Sequence, residues 1–569
     1  MAGISARGKG EQLLFLADDG EHSTHTETAE GSAERVRLKN PDFVVNKVYL
    51  DAYPQEVNAS GESYPLAKNK VTNLLKSGVL FFGYSGHGGY NAITNESILN
   101  FKDIENMSNK NQAFWLFATC NFSECDAGKR CCGEAAILNP NGGAIAVFSA
   151  TRTVYATPNT ELYRSVTDTL FGHKDVFHYD ITIGEAVAIG KNRLGSDMNK
   201  MAYILLGDPA VRLNFPTDYY VQTTTEMDTL NALSTQHVDG RIIDEDNNTV
   251  TDFNGQVDIT IYDKLQVIKT RDNDDTSGET KEIEYNDYPN TIFSGSTEVK
   301  EGLFNYTFMV PKDIRYNFGN GRIVYYAVSN DEQKMEAVGH FEEFIVGGTG
   351  NSLMVDTIGP MMAIYLNSKS FVDGDKTYAT PRFFADLYDE HGINTAGAGI
   401  GHDLMLIIDN DPKKIYSLNE YFTATNNSYQ EGQVSYLMEE LPDGPHSLTF
   451  RAWDLLNNST SQTLNFVVDA GLDPEINNVT ITYPNPVQEQ GIVNLIVDYN
   501  QPDELLQTEL YLYTMSGQMV WSHTQDNPDQ LSINLSELGL QAGIYVYTVK
   551  IKSASSKYSS SSGKIIVTQ

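Results

Sequence analysis

The chain is poor in three things, and each shortage excludes a class of protein. Only four cysteines occur in 569 residues, and all lie between Cys120 and Cys132. No framework of distributed disulfides can be built from them. Positive charge is scarce: 40 Lys and Arg stand against 75 Asp and Glu, a formal net charge of −35. Such a chain repels phosphate backbones and anionic head groups, which sets nucleic acid and lipid surfaces aside as partners. Long apolar runs are also missing, and none approaches the ~18 to 20 residues of a spanning helix. The opening MAGISARGKGEQLLFLADDG lacks the ~7 to 15 consecutive apolar residues of a secretory signal. LLFLADDG reads instead as a buried strand already inside a domain, so the chain is expected to lack the N-terminal part of its protein.

What is present divides the chain in two. A length of 569 residues exceeds what one core supports, and about three to five domains are expected. From residue 12 to about 216, strand-like runs (LLFLA, KVYLDAY, VLFFGYSG, AFWLFATC, GAIAVFSAT) alternate with helical ones (YPLAKNKVTNLLKSG, CGEAAILN, TIGEAVAIGKNRLG). In the first of these helices Leu66, Val71, Leu74 and Leu75 form one stripe, and Gly78 stops it. Alternation with continuously apolar strands means a parallel sheet covered on both faces. After GDPAVRLNFP the helical period disappears. Short alternating runs such as QVDITIYDK, RIVYYAVS, HSLTFRAWD and GIYVYTVKI, separated by Asn, Gly, Pro and Asp, predict β-sandwiches to the end of the chain. Composition breaks at GGTGNS and DAGLDPEINN give the expected domains 1–216, 217–350, 351–470 and 471–569. The Ser-rich SASSKYSSSSG is expected to be a mobile hairpin loop.

The chemistry concentrates at two strand ends. In an open parallel sheet, ligands sit outside the carboxyl ends of the strands. His87 follows VLFFGYSG, and Cys120 follows AFWLFAT after a crossover of thirty-three residues. That length joins neighbouring parallel strands, so imidazole and sulfur are expected over one edge of the sheet. A thiol of pKa ~8.5 is mostly protonated at neutral pH, and a nearby imidazole both stabilises the thiolate and protonates a leaving amine. Either residue alone is more often structural, the histidine a satisfied polar group and the cysteine a small core residue. Their joint placement favours a nucleophile and a general acid/base. Gly86, Gly88 and Gly89 let a substrate carbonyl approach the backbone, so the N–H groups of Gly88 and Cys120 are the candidate oxyanion hole. Asp18, at the end of the first strand, is the candidate for orienting His87, against the bland reading of a capped Asp-Asp-Gly turn. Cys125 is expected to pair with Cys131 or Cys132. Zinc is the less favoured reading, because the spacing C-x4-C-x5-C-C departs from the usual paired ligands.

Taken in order, GYSGHGG, ATCNFSECD, GGAIAVFSATR and LLGDPAVRL resemble the gingipain family of cysteine peptidases. The resemblance implies a caspase-like α/β fold with a His-Cys dyad, matched by His87 and Cys120. It places Val154 and Tyr155 of SATRTVYATPN on the wall of the substrate pocket, and offers no counterpart of the acidic residue of arginine-cutting members. DTIGPMMAIYLNSKSFVDGD, the GIGHD turn and LPDGPHSLTFRAWDLLNNST resemble the surface sortases of the type IX secretion system. YPNPV, LYTMSGQMV and GIYVYTVKI resemble its C-terminal sorting domain. These resemblances imply an outer-membrane-associated, cell-surface enzyme that removes sorting domains from secreted cargo through a Cys120 thioester and passes the cargo to an amine of lipopolysaccharide. Outer-membrane β-barrel and accessory secretion proteins are the implied partners. No cofactor is implied, and calcium, which the family admits, has no identifiable ligands here. Two alternatives stay open: a gingipain-like endopeptidase that is itself cargo, and a surface adhesin with an inactive peptidase-like domain. His402, in the GIGHD turn, is read as structural.

Overall fold

The computed structural model describes all residues except 1–10, 59–60, 110, 127, 173–180, 217, 272, 274–281, 332–333, 351–355, 396–400, 413, 484, 490, 502–505, 527–530, 553–556 and 569. Two compact units result, Met1–Val310 with Ile314–Ser352, and Pro311–Asp313 with Leu353–Gln569. Among the described residues no helix is long and apolar enough to cross a membrane.

The first unit opens with the alternation that the sequence predicts. Its strands are β1 (Gln12–Ala17), β2 (Val44–Tyr49), β3 (Phe81–Ser85), β4 (Ala113–Ala118), β5 (Ala144–Ala150) and β6 (Tyr203–Gly207). They form one sheet in the order β6-β5-β4-β3-β1-β2. The first five are parallel, and β6 closes the edge antiparallel to β5, a departure from the all-parallel expectation. Helices α1 (Thr24–Lys39), α2 (Pro65–Ser77), α3 (Cys132–Leu138), α4 (Ala156–Phe171) and α5 (Ile183–Arg193) cover it. Successive side chains of a strand point to opposite faces. Leu13, Phe15, Phe81, Phe114 and Phe148 therefore enter one core with residues of α1, α4 and α5. Leu14, Leu16, Phe82, Trp115 and Phe117 enter the other with residues of α2 and α3. Within α2 the buried residues are Ala67, Val71, Leu74 and Leu75, whereas Leu66 is exposed. Small Ala67, not Leu66, faces the sheet, because positions 67, 71, 74 and 75 recur at i, i+4, i+7 and i+8 on one helical face and Leu66 lies off it.

The same unit continues with a seven-stranded sheet drawn from residues 219–341 and a small three-stranded one. Arg322 joins the two regions of this unit by donating from Nη2 to the carbonyls of Pro41 (2.7 Å) and Phe43 (2.9 Å). Tyr285 meets Tyr49 edge to face at 4.8 Å.

The second unit holds two β-sandwiches with separate cores. In the first, a four-stranded sheet (Met361–Leu366, Arg382–Tyr388, Glu431–Leu437, Phe422–Ala424) faces a five-stranded one that includes Gly444–Trp453 and Ser459–Val468. Phe383, Leu406, Leu448 and Phe450 fill the space between them. The terminal sandwich encloses Val493, Leu510, Val549 and Ile565. Its last strand, Tyr558–Thr568, corrects the expected Ser-rich loop: Ser559–Ser562 pair with Thr548–Ile551 of the preceding strand. Consecutive serines alternate between the two faces of the pleat, Ser559 and Ser561 half-buried and Ser560 and Ser562 exposed. Residues 553–556 of that serine stretch lie outside the described residues.

Candidate active site

The candidate residues stand on the carboxyl edge of the six-stranded sheet. In the parallel ladders Ala17 is level with Ser85, and Ser85 with Ala118. His87 and Cys120 each follow two residues beyond that common rung, so the register itself brings their loops side by side. Gly88 shows how close they run. A Cβ there would lie 2.4 Å from Thr119 Oγ1 and 3.4 Å from the Cys120 carbonyl oxygen, so only glycine fits. The two candidate oxyanion residues thus belong to touching loops.

Cys120 is half-buried, and its sulfur rests on the backbone of Val154. The Val154 N–H approaches Sγ at 3.4 Å, and Sγ stands 3.6 Å from the Val154 carbonyl. A thiol donates to that carbonyl and a thiolate accepts from that N–H, so either state of the sulfur has a partner. Val154 also packs against the core. Tyr155, which precedes α4, is 80% exposed. The buried Asn199 fixes its backbone, accepting from its N–H at 3.3 Å and donating to its carbonyl at 2.8 Å.

Around His87 the structure corrects the sequence reading. Asp18 does not face the ring. It is buried, and its Oδ2 accepts the backbone N–H of His87 at 2.8 Å. The Tyr84 hydroxyl lies 3.3 Å from the same oxygen and donates to the His87 carbonyl at 2.6 Å. Burial pushes the Asp18 carboxyl well above the usual carboxylate range. The nearby Asp19 and Glu96 push the same way, while the His87 N–H and Tyr84 oppose. Asp18 therefore shapes the turn, because a strand's next residue points along the backbone of its neighbour and not at a side chain two residues on.

The carboxylate on the imidazole is Glu21, with Oε1 3.2 Å from His87 Nε2. Its position depends on an unusual backbone: Gly20, Glu21, His22 and Ser23 all have positive φ, at 70°, 45°, 57° and 60°. Three consecutive non-glycine residues in that region cost about 1–3 kcal/mol each and persist only where the surroundings impose them. Composition gives no sign of such a turn, and the one signal in the sequence is the E-x3-H spacing of Glu21 and His25 at the start of α1. His25 is a further residue the sequence reading missed. It is 8% exposed and stands edge-on to His87, with ring centroids 5.2 Å apart. Its Nε2 lies 3.4 Å from Glu21 Oε2. Burial, and secondarily the positive charge His87 can carry, lower its pKa to about 4 against a smaller opposing pull from Glu21.

The expected disulfide is absent, and all four cysteines are free. Cys132 enters the core of the sheet, while Cys131 closes the N-terminus of α3 in a capping box with Glu134. Burial raises both thiols to about 12. Cys125, Cys131 and Glu134 do place their ligand atoms within 4.8 Å of one another.

A parallel sheet of order 2-1-3-4-5 with a closing antiparallel strand, carrying histidine and cysteine on adjacent strand ends, defines a caspase-like α/β domain. Comparison with known families agrees: residues 6–214 match peptidase family C25, and residues 481–568 match the secretion system C-terminal sorting domain. The chain thus joins a domain of a cysteine peptidase family, that of the gingipains, to a secretion sorting domain. Among solved structures it is similar to dimeric latent PorU from Porphyromonas gingivalis, with 29% identity over 75% of this chain and 41% of that one, at a TM-score of 0.30. The complex of P. gingivalis RgpB pro- and mature domains is 14% identical over 60% of this chain and 70% of that one, at a TM-score of 0.32. The chain thus spans about two fifths of the length of the latent PorU structure. No curated protein matches it.

Proposed function

We propose that the chain is a surface cysteine peptidase of the sortase type, which cleaves C-terminal sorting domains from secreted cargo and passes the cargo to an amine. The observation that carries the peptidase chemistry is the common rung: His87 and Cys120 lie two residues past Ser85 and Ala118, which are paired. Cys120 Sγ attacks the scissile carbonyl and its proton passes to His87. Glu21 steadies the imidazolium, and His87 returns the proton to the leaving amine. The N–H groups of Gly88 and Cys120 receive the developing oxyanion, Val154 and Tyr155 flank the substrate, and Asp18 sets the His87 turn. The thioester left on Cys120 then partitions between water and an acceptor amine, and exclusion of water favours transfer.

The sortase step is supported by the resemblance of residues 356–460 to the type IX sortases and by the terminal sorting domain. A lipopolysaccharide amine as acceptor, outer-membrane accessory proteins as partners and the cell surface as location belong to the same proposal. The test is the ratio of free acid to amide in the product of a cargo peptide, followed by mass spectrometry across a series of amine concentrations. A rising amide fraction is expected, and a constant ratio reduces the reaction to hydrolysis.

The sorting domain also favours a second reading, an endopeptidase that is itself cargo. The intact mass of the surface protein separates the two: a sortase retains residues 471–569, whereas cargo ends near residue 470.

A further inference from the structure

Orienting one imidazole takes one carboxylate, yet two imidazoles meet Glu21. Oε1 stands 3.2 Å from His87 Nε2 and Oε2 stands 3.4 Å from His25 Nε2. The second contact makes no hydrogen bond, and His25 Nε2 is a buried ring nitrogen with no hydrogen-bond partner. Leaving such an atom unsatisfied costs its desolvation with nothing in return. At the other end of the ring, Ser85 Oγ lies 3.4 Å from Nδ1. With that hydroxyl accepting Nδ1–H, Nε2 carries a lone pair aimed at Glu21 and His87. A hydrogen-bonded outer partner of this sort fixes the tautomer of metal-bound histidines.

We propose that Glu21, His25 and His87 form a binding site for a divalent transition metal of the zinc type, and that filling it removes His87 from proton transfer. The three donor atoms lie within 4.8 Å of one another. For bonds of about 2.0–2.1 Å, a tetrahedral site needs ligand atoms about 3.3 Å apart. The two contacts at 3.2 and 3.4 Å already have that spacing. The remaining contraction, between the two rings, falls on the mobile side, since the His87 side chain is 44% exposed and that of Glu21 48%. Two imidazoles and one carboxylate suit zinc, cobalt, nickel or copper better than calcium or magnesium, and three protein ligands leave a fourth position for water. The left-handed turn from Gly20 to Ser23 holds both Glu21 and the start of α1 in place for this donor set.

The chemical consequence follows from the imidazole. A neutral ring has one lone pair. Once Nε2 gives it to a metal, the ring cannot take the Cys120 proton or deliver one to the leaving amine. This inhibitory half rests on the peptidase reading, whereas metal binding itself does not.

The test is a zinc and cobalt titration of the chelator-treated full chain, followed by calorimetry and absorption. One equivalent is expected to bind, with cobalt showing ligand-field bands and no strong sulfur-to-metal charge transfer. His25→Ala and Glu21→Gln should each weaken binding at least tenfold, and Cys125→Ser should leave it unchanged. Glu21 is exposed, so Glu21→Gln remains informative if the buried His25 substitution impairs folding. Unchanged affinity in the Glu21 variant, loss of the site in Cys125→Ser, or a sulfur charge-transfer band overturns the proposal. In peptide hydrolysis, zinc should inhibit the native protein over the concentrations at which it binds, and full activity at saturation overturns the inhibitory half. If no peptide is cleaved under any condition, the peptidase reading falls and the titration still decides the metal site.

Discussion

Two histidines of this chain follow glycine-bearing turns and face a carboxylate, and they differ in almost everything else. In the first unit, His87 keeps an exposed ring against an exposed Glu21. In the second, His402 follows Gly401, places Nδ1 2.5 Å from Asp313 Oδ2, and meets Trp453 at a tilt of 48° with centroids 4.2 Å apart. Asp313 is engaged on both oxygens, receiving Asn457 Nδ2 at 2.6 Å and Asn394 Nδ2 at 3.3 Å. The pair at His402 belongs to a cluster of side-chain hydrogen bonds gathered on Asp313. The pair at His87 stands at a sheet edge beside the loop of a free thiol, with capacity to exchange protons. Residue types in a glycine-rich turn do not make a site; the strand end beneath them does.

The sharpest way to test that contrast is to remove the thiol. Cys120→Ala deletes one sulfur at a half-buried strand end, so the fold should survive while cargo processing disappears. His87→Ala should lose about three orders of magnitude or more in kcat/KM, because thiolate formation and leaving-group protonation both need the ring. Quantified peptide cleavage with circular dichroism of the variants checks both. Processing by the Cys120 variant at the native rate ends the nucleophile assignment, and a tenfold loss or less at His87 makes it structural like His402.

The next effect in size is on stability and comes from His25. Its folded pKa, about 4, lies below the ordinary 6.5 because the ring is buried. The unfolded chain therefore takes up the proton first on acidification. The stabilisation is complete above pH 6.5 and is lost as pH falls towards 4, at about 1.4 kcal/mol for each pH unit between those two values, or roughly 3 kcal/mol in all. Denaturant unfolding of the native chain at pH 7, 5.5 and 4 should show that slope, and His25→Gln should flatten it. An equal slope in the variant removes His25 as its source.

Smaller still is the difference between the two acids near His87. Glu21→Gln should lower kcat about tenfold with little change in stability, since it weakens support for the imidazolium and disturbs no core. Asp18→Ala should cost about 1–3 kcal/mol of stability by leaving the His87 N–H unpaired. Reversal of that pattern would return Asp18 to the ring.

These residues also show what the sequence makes legible. Strands of the six-stranded sheet are plain in it because they are buried on both faces and read as continuous apolar runs. Two such runs ending in histidine and cysteine suffice to place both residues on one edge. Helix α1 is not legible, since its buried face is Thr26, Thr28, Ala29, Ser32, Ala33 and Val36, too small and polar to make an apolar stripe. Glu21 is hidden for a related reason: it reaches His87 only through a left-handed turn that no local preference announces. Asp18 illustrates the opposite error, a correct strand end with the wrong side-chain direction. The Ser-rich strand shows composition misleading outright, because a ladder with a solvated face tolerates serine where a linker would also use it.

The smallest effect on the reaction is expected at His402, the histidine that fastens a turn of the second unit. His402→Ala removes a hydrogen bond to Asp313 and a tilted ring contact with Trp453. Loss of such a bond costs about 1–3 kcal/mol, part of it from the carboxylate left with one partner fewer. For a unit of about two hundred residues, each kcal/mol lowers the unfolding midpoint by roughly 2–4 °C. The expected outcome is a midpoint several degrees lower with kcat/KM for a cargo peptide within twofold of native. His402→Gln, which can still donate to Asp313, should recover part of the midpoint. If kcat/KM instead falls tenfold in both variants while the midpoint stays, the second unit contributes to the reaction through this turn, and the division between a working histidine and a fastening one fails.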